Sequence, residues 1–494
     1  PLENELGIVP ENYIGLGDGG ISISQWETIK SHSDVEIAAP VASLGYFTGI
    51  SSSINIKEPK QSTRYSVQFY TSDGIKHYPV DNEENCIILE NYFVKNVNNF
   101  FEPLFENREM LNFCDQIAKF PLPESYHLLV GIDAEQEQLL TGYEFNFNKQ
   151  DWGARAKYEF GLNDAIIVPV IELDHKKVSL QADIKVEELN VSKEQVKIWR
   201  EQLGLKDDPN EGPAFFDNLN REPEYAQIYK EILNMPSSSQ KHLKVDLGSE
   251  LDGFYQKAIL IDLNGETEPL VADGKYTSLI DITNAGKYFL AGNVKYEKKG
   301  NRFFVNKIGD INGIPIYREI IEKGGPLGTE TKENLQLITD PIGKVKINPG
   351  KEELASSPLG IYQFAPVHYI DEETGKKKEL TPTISPGSFI SAPASGVTTI
   401  EVAEVIKGEK PIDAIRVKVA GINGYTKEAA EKIKKVATDI EALGLQVTTV
   451  AGASHQKLKV DVEGIGTVEE SWTTLGAAGS IISEWNLTNG ILAI

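Results

Sequence analysis

The two ends of this chain read as halves of one small domain, held apart by more than 350 residues. Near the start, Gly20 to Tyr46 predicts a short helix, a turn at Asp34 and then an uncharged strand. Near the end, Ala414 to Gly452 predicts strand, helix and strand. Ile415, Val417 and Val419 alternate with Arg416 and Lys418, the period of a half-buried strand. Thr426 caps the following helix and Glu428 lies in its first turn. Ala429, Ile433, Val436, Ala437, Ile440 and Leu443 recur at three- and four-residue steps and leave one apolar face. Gly444 stops the helix, because glycine accepts the left-handed conformation of a C-terminal cap. Leu445 to Val450 then returns as a strand, giving a βαβ unit or its split, ferredoxin-like variant. A domain divided in this way brings the ends of the chain together in space.

The 494 residues allow roughly two to four domains. The spacing of patterns divides them into residues 1–50 (first part of the end-built domain), 51–236 and 237–400 (two halves of an insertion) and 401–494 (its second part). The fold class expected is α+β, a split βαβ domain formed by both chain ends with a large strand-rich α+β insertion. Lys and Arg number 49 against 73 Asp and Glu, a net charge of −24. Such a surface repels nucleic acid and anionic lipid, since both need a basic face. Cys86 and Cys114 are the only cysteines, which excludes a disulfide scaffold. They either pair or stay as isolated buried thiols. Cysteine avoidance fits a Gram-positive cell surface. The start at Pro1, with only Met110 and Met235, predicts a processed or engineered fragment.

Ile37 to Ile56 has the length of a membrane span and no charge, but Pro40, Gly45, Gly49 and Ser51 to Ser53 make it buried strands joined by a turn. In the insertion, Arg64–Thr71, Ile75–Val80, Cys86–Leu89, Ala165–Leu173 and Lys177–Val186 read as strands, with Pro169 marking an edge or a bend. Ser192 to Leu203 reads as a helix capped by Ser192, with Val196, Trp199 and Leu203 buried, and Tyr225 to Leu233 as a second short helix. Pro236 to Ser239 reads as a linker, Leu243 to Tyr317 as strand-rich and Lys323 to Gly360 as loop-rich. Glu372 to Lys378 predicts an exposed hairpin tip across a Gly turn.

Chemical motifs are sparse. Gly15 to Gly20 matches G-x-G-x-x-G by its letters, but the preceding VPENYI lacks the buried strand that the dinucleotide fingerprint needs. A P-loop, a G-x-S-x-G elbow and an H-E-x-x-H pair are all missing. His32, His77, His127, His175, His242, His368 and His455 are scattered, and Asp174–His175 reads as a solvated turn. Asp81 to Asn85 and Asp207 to Glu211 read as acidic surface loops without a calcium-loop pattern. No catalytic residue, metal ligand or cofactor is therefore expected. Gly476 to Ser480, flanked by Trp472 and Trp485, permits close helix approach or packing inside its own domain.

Three segments together resemble the extracytoplasmic core domain of MacB-like and FtsX-like ABC transporter permeases: Val35 to Tyr46, Ala414 to Gly452, and Thr467 to Asn486, the last similar to the helix that feeds the second transmembrane segment. Tyr126 to Leu140, a strand followed by an acidic helix start, is a weaker echo. The resemblance covers about a third of the chain. It implies that the domain built from both ends is porter-like, and that the whole is a non-catalytic domain on the extracellular face, tethered by membrane helices, with a cytoplasmic ABC ATPase, a second permease and a membrane-fusion or accessory protein as partners. It also implies that ATP-driven motion reaches a ligand outside the membrane, in export or envelope stress. A stand-alone surface module binding peptide or glycan is the alternative. The implied geometry is specific: the strand after Asp34 shares a sheet with Ala414 to Gly452, both ends leave on one side, and Glu469 to Trp485 is helical.

Overall fold

The computed structural model describes residues 8–10, 19–49, 52–57, 61–88, 112–113, 118–148, 165–174, 178–202, 231, 234–251, 253–254, 258–270, 287–300, 302–324, 337–347, 361–362, 366–422, 424, 426–447 and 455–474. The fold is mixed α+β and rich in strands.

The N-terminal third holds β1 (Ile8–Pro10), α1 (Ile23–Lys30), β2 (Val35–Thr48), β3 (Ser53–Ile56), β4 (Thr63–Ser72), β5 (His77–Ile88), β6 (Asn112–Phe113), β7 (Ala118–Pro121), β8 (Tyr126–Ile132) and α2 (Ala134–Thr141). The middle holds β9 (Ile166–Asp174), β10 (Gln181–Leu189), α3 (Lys193–Gln202), β11 (Ser237–Asp246), β12 (Ile259–Ile261), β13 (Thr267–Pro269), β14 (Tyr288–Ala291), β15 (Tyr296–Lys299), β16 (Arg302–Val305), β17 (Gly309–Ile311), β18 (Ile314–Ile316) and β19 (Ile320–Gly324). The remainder holds β20 (Leu337–Lys346), β21 (His368–Ile370), β22 (Lys377–Glu379), β23 (Gly396–Thr399), α4 (Ile400–Lys407), β24 (Ala414–Val419), α5 (Lys427–Glu441), β25 (His455–Val462) and β26 (Gly466–Thr474).

These strands form an eight-stranded sheet (β19-β14-β2-β8-β23-β9-β20, with β24 on β2) and a seven-stranded sheet (β15-β16-β25-β26-β21-β22, with β1 on β26). A five-stranded sheet (β11-β10-β4-β5-β6), a four-stranded sheet (β13-β12-β3-β7) and the ribbon β17-β18 complete the set. The eight-stranded sheet takes strands from both sides of residues 50, 236 and 400, and β2 and β24 lie in it with strands of the intervening chain. Its two faces carry different cores. Trp26 and Ile29 of α1, Ile400 and Ala403 of α4, and Val436 and Ile440 of α5 cover one with Ala38, Ala42, Leu129 and Val170. Val41, Val130, Ile132, Ile171 and Val397 meet Tyr143, Phe145 and Tyr362 on the other. The five- and four-stranded sheets enclose a third core, Tyr65, Val67, Ile184 and Leu243 against Ile54, Ile56, Phe120 and Ile261.

Many local readings match. The short helix read after Gly20 is α1, and Ser22 and Gln25 form its capping box. Arg64 to Thr71 alternates as read, with Tyr65, Val67 and Phe69 buried. Thr426 accepts the Ala429 N–H to cap α5, and Gly444 (φ 81°) follows its end. The exposed Glu372–Lys378 segment turns between β21 and β22 and runs into β22, with Gly375 at φ 68°. Ser192 accepts the Gln195 N–H, and Trp199 of α3 is buried. Pro169 stands in the part of β9 that β23 does not pair with; β23 bonds only at Ile171 and Glu172.

Five expectations are corrected. Thr467 to Thr474, expected as helix, is strand β26, because Val468, Glu470 and Trp472 are buried with a period of two. Leu445 to Val447 is not a strand: Leu443, Leu445 and Val447 pack against the helical core, so their alternation reports burial without a ladder. Ser237 to Ser239, expected as linker, opens β11 and pairs with β10. Those serines are exposed on an edge strand, where polar composition looks the same as in a linker. Asp81 to Asn85, expected as a loop, lies inside β5. Leu337 to Lys346, within the stretch expected to be loop-rich, is a ten-residue strand. Residues 15–18, Cys114, His175, Leu203 to Lys230, Thr448 to Val450 and Leu475 to Ile494 lie outside the described residues, and with them the second short helix except Glu231, which is helical, Asp207 to Glu211 and Gly476 to Ser480.

Candidate functional site

The feature that the whole chain builds is the double junction of its two ends. The first junction is centred on Asp413, between α4 and β24. Its carboxylate accepts the Gly19 N–H (2.6 Å) and the Ser43 N–H (2.7 Å), and pairs with Lys407 Nζ at 2.7 Å. Lys407 Nζ also donates to the Ser43 carbonyl. Three chain segments therefore meet on one side chain. Burial pushes the Asp413 carboxyl above its usual range, while Lys407 and the two amides act in the opposite direction. Backbone bonds extend the seam: Gly20 N–H to Lys410 O, and Ile21 and Ile412 exchanging a pair. Gly19 has φ +71°, and a Cβ there would sit 2.1 Å from the Lys410 carbonyl oxygen. Close backbone approach thus explains Gly19, an x position of the G-x-G-x-x-G match, while Gly20, its last glycine, answers to a positive φ of 127° with open space around it.

Around this point α1 and α5 are tied across the sequence. Gln25 donates to the Leu443 carbonyl, and Trp26 Nε1 to that of Ala38 on β2. His32 lies 3.1 Å from Asp439, whose carboxyl is held low first by that contact. Asp34 pairs with Lys435 (3.2 Å) and Lys432 (3.4 Å), and is held low chiefly by Lys435. β2 bonds β24 in antiparallel register from Val35↔Val419 to Val41↔Ala414, so the strand after Asp34 and the strand of the C-terminal unit share one sheet. On the opposite face the buried Glu137 accepts from Arg416 and, at 2.6 Å, from Tyr362.

The second junction is β1 on β26: Ile8↔Thr474, Val9↔Thr473 and Pro10↔Trp472, antiparallel. Beneath it lies Trp472, 1% exposed and edge-on to Tyr296 at 5.1 Å. The buried Glu470 carboxylate accepts from Tyr296 (3.0 Å) and from Trp472 Nε1 (3.2 Å), and burial pushes its pKa up.

The residues searched for chemistry fall elsewhere. His127 is buried, 2.9 Å from Ser125 and tilted by 31° against the Phe254 ring at 4.5 Å. Asp174 pairs with Lys344. His242 bonds Gln240. Among the described residues no three His, Cys, Asp or Glu side chains are grouped to hold a metal, and no helix is long and apolar enough to cross a membrane. Cys86 is buried on β5 and disulfide-bonded; the chain's other cysteine, Cys114, lies outside the described residues. Sequence reading missed the Asp413 hub. The close pair Lys407 and Asp413, flanking Gly408 and Pro411, was the available signal.

The β5 bulge carries a titration of its own. Register passes from Val67↔Glu84 to Phe69↔Val80, so Gln68 alone faces residues 81–83. Gln68 Nε2 donates to the carbonyls of Phe69 and Val80. Glu84 lies directly opposite the buried Val67 and shares its core-facing side. Burial, then Asp81, pushes the Glu84 carboxyl up to about 7 from 4.5. A raised carboxylate pKa means that the folded state binds the proton more tightly. Its contribution is complete below pH 4.5 and is lost as pH rises through 7. Glu84→Gln is therefore expected to be more stable than the parent by about 1–3 kcal/mol above neutrality, with the gap closing in acid. Urea unfolding across this pH range checks it; a constant difference would refute it.

Comparison with protein-family models, with curated proteins and with solved structures finds no match.

Proposed function

We propose that this chain is the non-catalytic extracytoplasmic domain of an ABC transporter permease of the MacB-like or FtsX-like kind. It couples the motion of a separate cytoplasmic ATPase to the handling or export of a ligand outside the membrane. The observation that carries this reading is the pairing of β1 with β26. Antiparallel partners lie about 4.5–5.5 Å apart at Cα. The chain entering at Ile8 and the chain leaving at Thr474 therefore run side by side at one edge. Two packed membrane helices have axes about 8–10 Å apart, so that edge fits a paired tether. The approach to it is a strand pair, and motion passes into the seven-stranded sheet through β26 and into the eight-stranded sheet through the Asp413 seam. The disulfide at Cys86 suits a compartment outside the cytoplasm. The strand β2 and the unit β24–α5 keep the order of two of the three segments on which the resemblance rests, and β8–α2 supplies its weaker echo; the third segment opens as strand β26.

The test is made on the full gene product in its membrane. Apolar spans on both sides of this chain, protease access from outside intact cells and co-purification with an ATPase are expected. A Val9→Cys, Thr473→Cys cross-link is expected to change the rate of that ATPase, since these residues face each other across the junction. Flanking sequence without an apolar span would overturn the reading in favour of a free surface module. The isolated chain is expected to neither hydrolyse nor saturably bind ATP; calorimetry showing saturable binding would count against it.

A further inference from the structure

We propose that Asn312 is a site of autocatalytic deamidation, and that its conversion opens a clasp between the β17–β18 ribbon and the five-stranded sheet. This is independent of the transporter reading. Asn312 and Gly313 form the exposed turn between β17 and β18, at φ 50° and 79°. Glycine after asparagine leaves the main-chain nitrogen unhindered. The Gly313 nitrogen attacks Asn312 Cγ, a C–N bond forms, the Cγ–Nδ2 bond breaks, and ammonia leaves with the Gly313 amide proton. Water then opens the succinimide ring to aspartate or isoaspartate. The step needs no oxidant and no other reactant. A two-stranded ribbon with three residues per strand is marginal alone, so the turn opens often enough for the ring to close.

The consequence is set by what Asn312 touches. Its Nδ2 donates to Asp81 Oδ1 at 2.5 Å, joining the ribbon's turn to the β5 bulge. Asp81 (φ 56°) and Asn312 are the two non-glycine residues with positive φ among those described, and each stands at a distorted point of its own element. Deamidation replaces the donor by a carboxylate facing the Asp81 carboxylate, so attraction becomes like-charge repulsion. Isoaspartate further lengthens the main chain at a turn whose geometry is fixed by two left-handed residues. Asn264–Gly265, the other Asn-Gly pair lying in a described turn, is different: Asn264 Nδ2 bonds Asp262 of its own turn at 3.2 Å, so its conversion stays local.

The experiment holds the purified chain in mildly alkaline buffer and follows both sites by peptide mapping. Conversion at Asn312, a gain of about one mass unit, is expected. Hydrogen exchange should then show β17–β18 amides at least about tenfold faster in the converted chain and in Asn312→Asp. Asn312→Gln keeps a donor but closes a less favourable ring, so it should block conversion and keep exchange slow. Asn312 staying intact while Asn264 converts would overturn the site. Unchanged exchange in both the converted chain and Asn312→Asp would overturn the clasp.

Discussion

Replacing Trp472 with alanine is expected to destabilise the chain by about 3–5 kcal/mol, the range for emptying a large buried aromatic site. Trp472 is among the largest fully buried side chains, and it does three things at once. It packs edge-on against Tyr296, it donates to the buried Glu470, and it carries the β26 end of the β1 pairing. Removing it leaves a cavity and takes one donor from a carboxylate that burial already strains toward protonation. Urea unfolding measures the loss. The accompanying signature is faster exchange of the amides that join β1 and β26. A loss below about 1 kcal/mol would mean that the indole is not the keystone of this edge.

Asp413→Ala is the second large effect, expected at about 2–4 kcal/mol. The substitution leaves Lys407, whose side chain is only 8% exposed, without its carboxylate. It also leaves the Gly19 and Ser43 amides without their acceptor. Removing one partner of a buried ion pair costs more than the pair contributes, because the other charge stays in place. Limited proteolysis should then cut near Gly19 well before the sheet unfolds. Asp413→Asn, which still accepts, should fall between the two. The double variant Lys407→Met, Asp413→Leu should recover much of the loss, since a matched apolar pair removes both charges. If the double variant is no better than Asp413→Ala alone, the hub acts through its backbone acceptors rather than through Lys407.

The end-built seam was the most legible part of the chain, and its parts show why. α5 is written in local terms: a capping threonine, an apolar stripe at helical steps and a terminal glycine. β24 and β2 are written as alternation and as an uncharged run. Such signals depend on neighbours within a few residues. β26 misled because a Thr- and Glu-containing segment next to small residues fits either a helix or a strand. Its period-two burial is defined by β25, the other arm of its hairpin, and by β21 and β1, which come from distant sequence. Leu445 to Val447 misled in the opposite sense: alternation was present, and the partner strand was not. Ser237 to Ser239 shows the same limit, since an edge strand with polar side chains differs from a linker only by its main-chain bonds to β10.

By itself the sequence determined which segments are helix or strand where caps and periodicity are local, that both ends carry matching apolar patterns, and that the surface is strongly acidic. Tertiary structure alone decided that Asp413 collects Gly19, Ser43 and Lys407, that β1 closes on β26, and that β2 and β24 lie in a sheet shared with the intervening chain. The reason is physical. Local bonding within a turn of helix or along one strand is set by adjacent residues, whereas strand pairing and the satisfaction of a buried charge depend on partners roughly 400 residues away, whose position only the folded chain fixes.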